Sequence, residues 1–537
     1  MRSGASAFRI SFLVLVFFLS FSSGSCQPPG PKELNPEAEI YYHLFLRSFY
    51  DSNHDGYGDL NGLHQKLDYL QNLGITTILL TPLYDSPFYH NYFANDFYKI
   101  DAHYGSLEDY LTLLKEIHHR GMKLIMDMEI QYVTNKHEWF KDSYRNPKSP
   151  FSSYIIYRGP DNTDPVPILW NIDTTKGWDG QEVSLWTTDL YNPQVVEYQH
   201  KLFKYWVDPN QDGVFDDGVD GFRIDHMMDD LDWKNLRTGL LQKFWKPLIA
   251  ELKEINPKIL IIGEQADWGY GADYFKQAGT DLMFNFPLRF AFVSFDKKRI
   301  VETADTTYAL IPTGKSGITF IENHDTDRLA SLVERNLPKM KMAAAMNILF
   351  KGVPSIYYGQ ELGMAGRFKK YGEYDTNDLL RREAFEWYKT VGGEGMALWY
   401  KGSGPWWNET NLHDSDGISL EEEKVDNNSL WHFYEQLIGL RRTHNALQSG
   451  RFIFIDREQT QVLSFLRWDD REALLILINL SEQTSSYISD VNNWPLKPQA
   501  QKLNYLLGTE VSPSLQFTNH KISITLPACS IQIWQIQ

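Results

Sequence analysis

Short apolar runs alternate with amphipathic stretches over most of the chain. The runs have the length and composition of buried β-strands, and they fall at residues 39–46, 75–80, 123–128, 219–224, 258–263, 281–284 and 317–323. Between strands the apolar positions recur at helical spacing, as in residues 107–120. Strands that alternate with helices are typical of parallel βα units. The pattern therefore predicts an α/β fold, a (β/α)8 TIM barrel.

Two parts of the chain depart from this alternation. Residues 131–190 are long for a connection between a strand and a helix and are rich in Pro, Asn, Asp and aromatic residues. They leave room for a subdomain inserted after the third strand, an interpretation that rests on the family resemblance given below, and residues 37–130 and 191–445 then form the barrel. In residues 446–537 short strands of alternating polarity, such as 462–468 and 522–526, predict a C-terminal antiparallel β-sandwich.

Carboxylates stand at the ends of three of the predicted strands. Asp225, Glu264 and Asp325 each follow an apolar run, and Arg223 lies two positions before Asp225, on the same side of its strand. A buried ion pair would explain Arg223 and Asp225 alone. In a barrel, however, the carboxyl ends of all strands converge on one face. A pair of carboxyl groups on that face is what glycoside cleavage requires.

The segments that carry these residues resemble a known family. Gly221-Phe-Arg-Ile-Asp225, Gly263-Glu264 and Glu322-Asn-His-Asp325 look like signature segments of the α-amylase family of glycoside hydrolases. Residues 58–74, 80–87, 185–193 and 352–364 are similar to further family segments, so that the resemblance covers roughly residues 36–440.

The resemblance implies roles for the strand-end residues. Asp225 is the expected nucleophile, Glu264 the general acid and base, and Asp325 the residue that holds sugar hydroxyls. Arg223 is expected to keep Asp225 ionised, and His324 to bind sugar hydroxyls near the cleaved bond. Retention of anomeric configuration predicts about 5–5.5 Å between the carboxyl groups of Asp225 and Glu264.

Two segments depart from the family pattern. Tyr92 matches the tyrosine that stacks on the sugar, but Phe93 replaces the aspartate that follows it in exo-acting α-glucosidases, which argues against an exo-glucosidase. Asp127, which the resemblance implies as a substrate-binding residue, opens a segment in which Gln131 and Tyr132 replace Asn and His. Tyr132 therefore takes the position of a sugar-binding histidine, and we expect it to contact the substrate.

Two loops have the oxygen-rich spacing of a calcium site. In the first, Gly56 marks a sharp turn and the candidate Ca2+ ligands are Asp51, Asn53, Asp55, Tyr57 and Asp59. The second is a weaker candidate, with Asp208, Asn210, Asp212 and Asp216 around Gly213. Such loops also occur as Asx turns or solvated acidic turns without metal. The resemblance to α-glucosidase-like members favours Ca2+ in the first loop.

Charge and the N-terminus restrict the partners and the location. A formal net charge of −17 argues against nucleic acid and anionic membranes as partners. Residues 1–25 have the basic start and short apolar run of a signal segment, and the Pro-rich residues 26–36 predict a tether. Cys26 is either lipidated after export or free to pair with Cys529. We therefore expect an exported monomer, secreted or held as a surface or periplasmic lipoprotein.

Hydrolysis of α-glucosidic bonds, chiefly α-1,4, in starch-like glucans or maltooligosaccharides is the function that these observations favour. Two alternatives stay open. In a transglycosylase a sugar would take the place of water at the same site. A catalytically inactive relative would only bind sugars or a partner protein, although the presence of all three carboxylates argues against it.

Overall fold

The computed structural model describes residues 35–458, 461–496, 502–509 and 515–537. The predicted signal segment and nearly all of the predicted tether, with Cys26, lie outside the described residues. Cys529 is buried and forms no disulfide within the described part of the chain. No helix in the described ranges combines the length and apolar character that a membrane span needs.

The strands and the α-helices are each numbered in chain order. The strands are β1 (Tyr41–Leu44), β2 (Thr77–Leu80), β3 (Tyr84–Asp85), β4 (Asp96–Ile100), β5 (Lys123–Met128), β6 (Tyr132–Thr134), β7 (Thr174–Lys176), β8 (Glu182–Thr187), β9 (Gly221–Met227), β10 (Leu260–Gln265), β11 (Leu282–Phe284), β12 (Ser316–Thr319), β13 (Val353–Tyr357), β14 (Arg451–Phe454), β15 (Val462–Trp468), β16 (Ala473–Asn479), β17 (Ser485–Asp490), β18 (Leu503–Gly508), β19 (Leu515–Thr518), β20 (Lys521–Leu526) and β21 (Ser530–Ile536). The α-helices are α1 (Leu60–Gln65), α2 (Leu67–Leu73), α3 (Leu107–His119), α4 (Glu138–Ser143), α5 (Pro193–Val207), α6 (Lys246–Ile255), α7 (Phe286–Phe292), α8 (Lys297–Leu310), α9 (Leu329–Leu332), α10 (Leu337–Leu349), α11 (Leu420–Glu423), α12 (Leu430–Thr443) and α13 (Asn445–Gln448).

Eight parallel strands close into a barrel, which confirms the predicted fold class. Around the barrel the order is β1, β2, β5, β9, β10, β11, β12 and β13, and β13 pairs back onto β1. Strand alternation divides each strand between two cores. Tyr41, Ile125 and Ile262 belong to a small cluster inside the barrel. Their neighbours Tyr42 and Leu124 belong to the larger core that includes the surrounding helices.

The segment between β5 and β9 contains the predicted insertion. There β6, β8 and β7 form a small antiparallel sheet. A short hairpin of β3 and β4 follows β2 along the chain. These additions follow the carboxyl ends of barrel strands, where the loops of a barrel build its functional face.

Two antiparallel sheets form the C-terminal part of the chain. One has the order β14-β15-β16-β21-β18 and the other the order β17-β20-β19. In β15, Leu463 and Phe465 face the large core shared with the barrel, whereas Val462 and Leu466 face the cluster between the sheets. Arg467 continues the barrel-facing side and donates to the main-chain carbonyls of Leu349, Phe350 and Leu447.

Candidate active site

The inward positions of the barrel become polar at the carboxyl ends of the strands. Asp127 follows Ile125 on the inner side of β5, and Glu264 follows Ile262 on β10. Asp225 lies on the same side of β9 as Arg223 because the two are separated by one residue. All four polar side chains are buried. Because every second residue of a strand points inward, the barrel interior is apolar along the strands and charged at their carboxyl ends.

A bulge interrupts the pairing of β9 with β10 at this layer. Ile224 pairs with Gly263, whereas Met227 pairs with Gln265, so that Asp225 and His226 together oppose Glu264. His226 has a φ of 44°, in the left-handed region that residues other than glycine seldom adopt. Such bulges are common beside active sites, where they redirect side chains. Here the bulge places Asp225 and His226 close to Glu264.

Arg223 connects three carboxylates. Its Nη1 lies 2.6 Å from Asp225 Oδ1 and 2.8 Å from Asp127 Oδ2, and its Nη2 lies 2.6 Å from Glu264 Oε2. The guanidinium is nearly inaccessible to solvent, so these contacts are not screened by water. A fork of several donors suits this position, where the point charge of a lysine would reach fewer oxygens.

Asp225 and Glu264 have opposite protonation preferences. Burial acts to raise the pKa of Asp225, but His226 and Arg223 outweigh it and hold the pKa below its usual value. Burial raises the pKa of Glu264 well above its usual value, with added repulsion from Asp225 and Asp325, in spite of Arg223. One oxygen of each carboxyl lies within 4.8 Å of the other. At short range, therefore, the surroundings favour the ionised form of Asp225 and the protonated form of Glu264.

Asp325 lies beside this cluster and is held by an imidazole and a guanidinium group. His324 Nε2 is 2.9 Å from Asp325 Oδ2, and Arg382 Nη2 is 3.0 Å from Oδ1. Although burial acts in the other direction, these neighbours keep the pKa of Asp325 well below its usual value. Tyr92 stacks on the His324 ring and donates its hydroxyl to Asp127. The contacts with His324 and Arg382 thus hold Asp325 in place on the wall of the pocket described below.

The segment after β5 is arranged differently from the expectation for Tyr132. Its ring is fully buried and its hydroxyl donates to Asp232, so Tyr132 has no place on the wall of the pocket described below. The structure thus gives no support to the predicted contact between Tyr132 and the sugar. Gln131 donates to the carbonyl of His226, and Glu129 accepts from the main-chain N–H of Gln131. Gln131 therefore stabilises the bulge through the main-chain carbonyl of His226.

A pocket of about 450 Å3 opens beside the acidic cluster. Asp225, Asp325 and Tyr92 are among the residues that line it. Trp170 and Phe368, with exposed fractions of 73% and 50%, stand on its wall as large apolar surfaces open to solvent. Aromatic and apolar walls with a few convergent polar groups are typical of small-molecule sites.

The first predicted calcium loop fits the ion in part. Asp51 accepts main-chain N–H groups from Asn53, His54 and Gly56, so its carboxylate organises the loop. Asp59 instead accepts from Ser52 and from Gly62 at the start of α1. Asp59 is therefore committed to the helix cap. The oxygens of Asp51, Asn53, Asp55 and the Tyr57 carbonyl remain as a donor set of the type that Ca2+ takes.

The second predicted loop repeats the same internal hydrogen bonds. Asp208 accepts from Gly213, and Asp212 accepts from Val214, as Asp51 and Asp55 do in the first loop. Asp216 is exposed, whereas the next residue, Asp217, is buried. Among the described residues, the acidic and histidine side chains that meet closely enough to hold a metal ion are Asp225, His226 and Glu264.

Several residues of the site were not assigned from the sequence. For Arg382 the available signal was its position directly after another arginine. No sequence signal marked His226, Glu129 or Asp232, because their positions depend on the bulge and on pairing between distant segments.

A (β/α)8 barrel with two close carboxyl groups of opposite protonation preference and a lined pocket at its carboxyl face is the arrangement that a glycosidase needs. The sequence pattern of the family described as "Alpha amylase, catalytic domain" matches residues 43–450. The chain therefore belongs to the α-amylase family.

Named relatives agree with this assignment. The chain is 30% identical to "Alpha-amylase 3" of Dictyoglomus thermophilum, with 90% of this chain and 92% of the relative covered. It is 28% identical to "Oligo-1,6-glucosidase" of Heyndrickxia coagulans, with coverage of 85% and 94%. The crystal structure of an α-amylase from H. orenii superimposes with a TM-score of 0.75 at 28% identity, covering 93% of this chain and 99% of that one.

Proposed function

We propose that the protein is a retaining glycoside hydrolase that cleaves α-glucosidic bonds, chiefly α-1,4, in starch-like glucans or maltooligosaccharides. The observation that carries this proposal is the short approach of Asp225 and Glu264, whose nearest oxygens lie within 4.8 Å. Inverting enzymes hold their carboxyl groups about 6.5–9.5 Å apart to leave room for water, whereas retaining enzymes hold them about 5–5.5 Å apart.

In the first step, an oxygen of ionised Asp225 attacks the anomeric carbon of the bound sugar. The glycosidic C–O bond breaks as Glu264 gives its proton to the departing oxygen, and a glycosyl ester forms on Asp225. The environments of both groups favour this division, because Arg223 stabilises the negative charge on Asp225 and burial keeps the proton on Glu264. Asp325 accepts hydroxyl hydrogen bonds from the same sugar.

In the second step, Glu264 acts as the base that takes a proton from water. The water oxygen attacks the anomeric carbon, the ester bond to Asp225 breaks, and the free sugar leaves with its original α configuration. Glu264 is then protonated again for the next cycle. A sugar hydroxyl in place of water would give transglycosylation by the same bond changes.

Calcium would have a structural role in this scheme. We propose that Asp51, Asn53, Asp55 and the Tyr57 carbonyl hold one Ca2+, which would rigidify the loop that precedes α1. We also propose a second Ca2+ at the loop of Asp208 and Asp212. Neither loop contributes a group to the pair of Asp225 and Glu264, so the bond-breaking steps use only the chain's own side chains.

We further propose that the protein is exported, because residues 1–25 have the pattern of a signal segment. Mass spectrometry of the protein from its native host tests this directly. A mature chain that begins near Cys26 is expected, and a lipid-sized mass increase on Cys26 would identify a lipoprotein. A chain that retains its first residues would refute export.

A product profile tests the enzymatic proposal. The protein is incubated with starch and with maltoheptaose beside the Asp225→Asn variant, and products are followed by chromatography and by NMR of the anomeric proton. Short oligosaccharides that appear first as α anomers, from the wild type alone, are expected. Products longer than the substrate would assign a transferase, and first-formed β anomers or the absence of any product would overturn the proposal.

A further inference from the structure

The inserted subdomain and the loop after β13 are joined across the mouth of the barrel. Lys176 in β7 donates its main-chain N–H to the carbonyl of Glu373 at 2.9 Å, and Thr175 donates its hydroxyl to the same carbonyl at 3.2 Å. Lys176 and Tyr374 also form an isolated parallel β-bridge. We call Thr175, Lys176, Glu373 and Tyr374 the bridge. It connects two segments that are far apart in sequence.

Aromatic contacts hold both sides of the bridge in place. The Tyr374 ring packs against Trp406 with centroids 5.7 Å apart, and Lys176 Nζ lies 5.8 Å from the centre of the Tyr374 ring. On the other side, Trp178 packs edge-on against Trp399 at 5.7 Å. The bridge therefore belongs to a packed structure on both sides of the mouth.

The bridge forms one wall of the pocket beside the acidic cluster. Thr175 from one side and Glu373 and Tyr374 from the other all line it. The same pocket is lined by Asp225 and Asp325. In the proposed mechanism these two residues contact the sugar that becomes attached to Asp225, so the bridged pocket is the one that receives this sugar.

A carboxylate without a partner lies in this pocket next to the bridge. Both oxygens of Asp375 are buried, and neither has a hydrogen-bond partner among the described residues. Burial raises the pKa of Asp375 well above its usual value, and buried carboxyl oxygens without a partner are costly unless a ligand supplies donors. Sugar hydroxyls are such donors, and Asp375 directly follows the bridge residue Tyr374.

We propose that the bridge closes the glycone end of the site, so that the enzyme acts from the non-reducing ends of α-glucans, and that Asp375 accepts hydroxyl groups of the terminal glucosyl residues. The proposal rests on the glycosidase function above and deepens it. A chain of glucosyl units cannot pass through a wall whose two sides are hydrogen-bonded and packed. Phe93 replaces the aspartate of exo-acting relatives, but here closure depends on a different pair of segments.

A substrate blocked at one end tests the closure. The wild type is given 4-nitrophenyl maltoheptaoside and the same compound with its non-reducing end blocked by a 4,6-ethylidene group. We expect cleavage of the free substrate and a rate below about one hundredth of it for the blocked one. Similar rates for the two would overturn the closure while leaving the glycosidase function intact. Failure to cleave either would overturn both.

Binding to an inactive variant separates the two proposals without turnover. The Asp225→Asn protein is titrated calorimetrically with maltotriose and with maltotriose blocked by the same ethylidene group. We expect the unblocked maltotriose to bind and the blocked maltotriose not to bind. Equal binding of both sugars would overturn the closure even if the protein had no activity.

Variants of the bridge and of Asp375 identify the residues responsible. Lys176→Pro removes the N–H that bonds to Glu373, and we expect it to admit the blocked substrate, whereas Lys176→Ala keeps that N–H and is expected to keep the wild-type selectivity. Asp375→Asn is expected to raise KM for maltotriose about tenfold or more with a smaller effect on kcat. An unchanged KM, with a protein that is merely more stable, would remove Asp375 from the proposal.

Discussion

Replacement of Arg223 probes both the stability and the chemistry of the site. The guanidinium lies 2.6–2.8 Å from carboxyl oxygens of Asp225, Glu264 and Asp127, all in the barrel interior. Arg223→Met removes the positive charge and leaves three carboxyl groups without it. Arg223→Lys keeps a charge but cannot span three partners. The two variants therefore separate loss of charge from loss of geometry.

The structure allows rough magnitudes for both effects. Removal of one partner from a buried ion pair costs about 3–5 kcal/mol, a large part of the 5–15 kcal/mol by which domains are usually stable. Loss of a cation within hydrogen-bond distance raises a carboxyl pKa by about 1–3. Because Asp225 must be ionised to attack, the acid limb of the pH profile should move to higher pH by a similar amount in Arg223→Met.

The assay is kcat/KM for maltoheptaose as a function of pH, together with urea unfolding. We expect a bell-shaped profile whose acid limb reports Asp225 and whose basic limb reports Glu264. Arg223→Lys should lose stability and rate with a smaller shift of the acid limb than Arg223→Met. An acid limb that stays at the wild-type pH in Arg223→Met would refute the claim that Arg223 keeps Asp225 ionised. A Met variant that does not fold would leave the Lys variant to test the geometry.

Three further predictions concern other parts of the chain. Arg467→Met should cost about 3–5 kcal/mol in urea unfolding, because three buried main-chain carbonyls lose their donor; a change below about 1 kcal/mol would contradict this. Burial, with Asp416 and Glu383, raises the pKa of Glu386 from 4.5 to about 9, so the native state keeps a proton that the unfolded state loses. Between pH 4.5 and about 9 the free energy of unfolding should therefore fall by about 1.4 kcal/mol per pH unit. Glu386→Gln should remove this fall, and equal pH slopes in the wild type and the variant would disprove the role of Glu386. A chelator should lower the Tm of the wild type more than that of Asp51→Ala, which lacks the first of the two proposed sites, since Ca2+ at a hundred times its Kd adds about 2.7 kcal/mol; equal responses would exclude Ca2+ at the first loop.

The barrel and the charged residues at its strand ends were predictable because their signals are local. Apolar runs of strand length, separated by helical periodicity, indicate parallel βα units wherever they occur. The period of two in a strand then places Arg223 and Asp225 on one side, and the convergence of strand ends brings Glu264 to the same face. None of these inferences requires knowledge of contacts between distant segments.

The exact environment of those residues was decided by tertiary structure. The bulge that sets Asp225 and His226 against Glu264 arises from the register between β9 and β10, which neither strand specifies alone. The partner of Tyr132 is Asp232, 100 residues away, and this contact removes the ring from the pocket.

The amino-acid sequence by itself thus determined the type of fold and the residues that carry charge at the strand ends. Only the tertiary structure decided how those charges pair and that the bridge between Lys176 and Glu373 walls one side of the pocket. The physical reason is range. Periodicity and strand direction are properties of a few consecutive residues, whereas pKa values, burial and pocket shape depend on groups that meet only after the whole chain has folded.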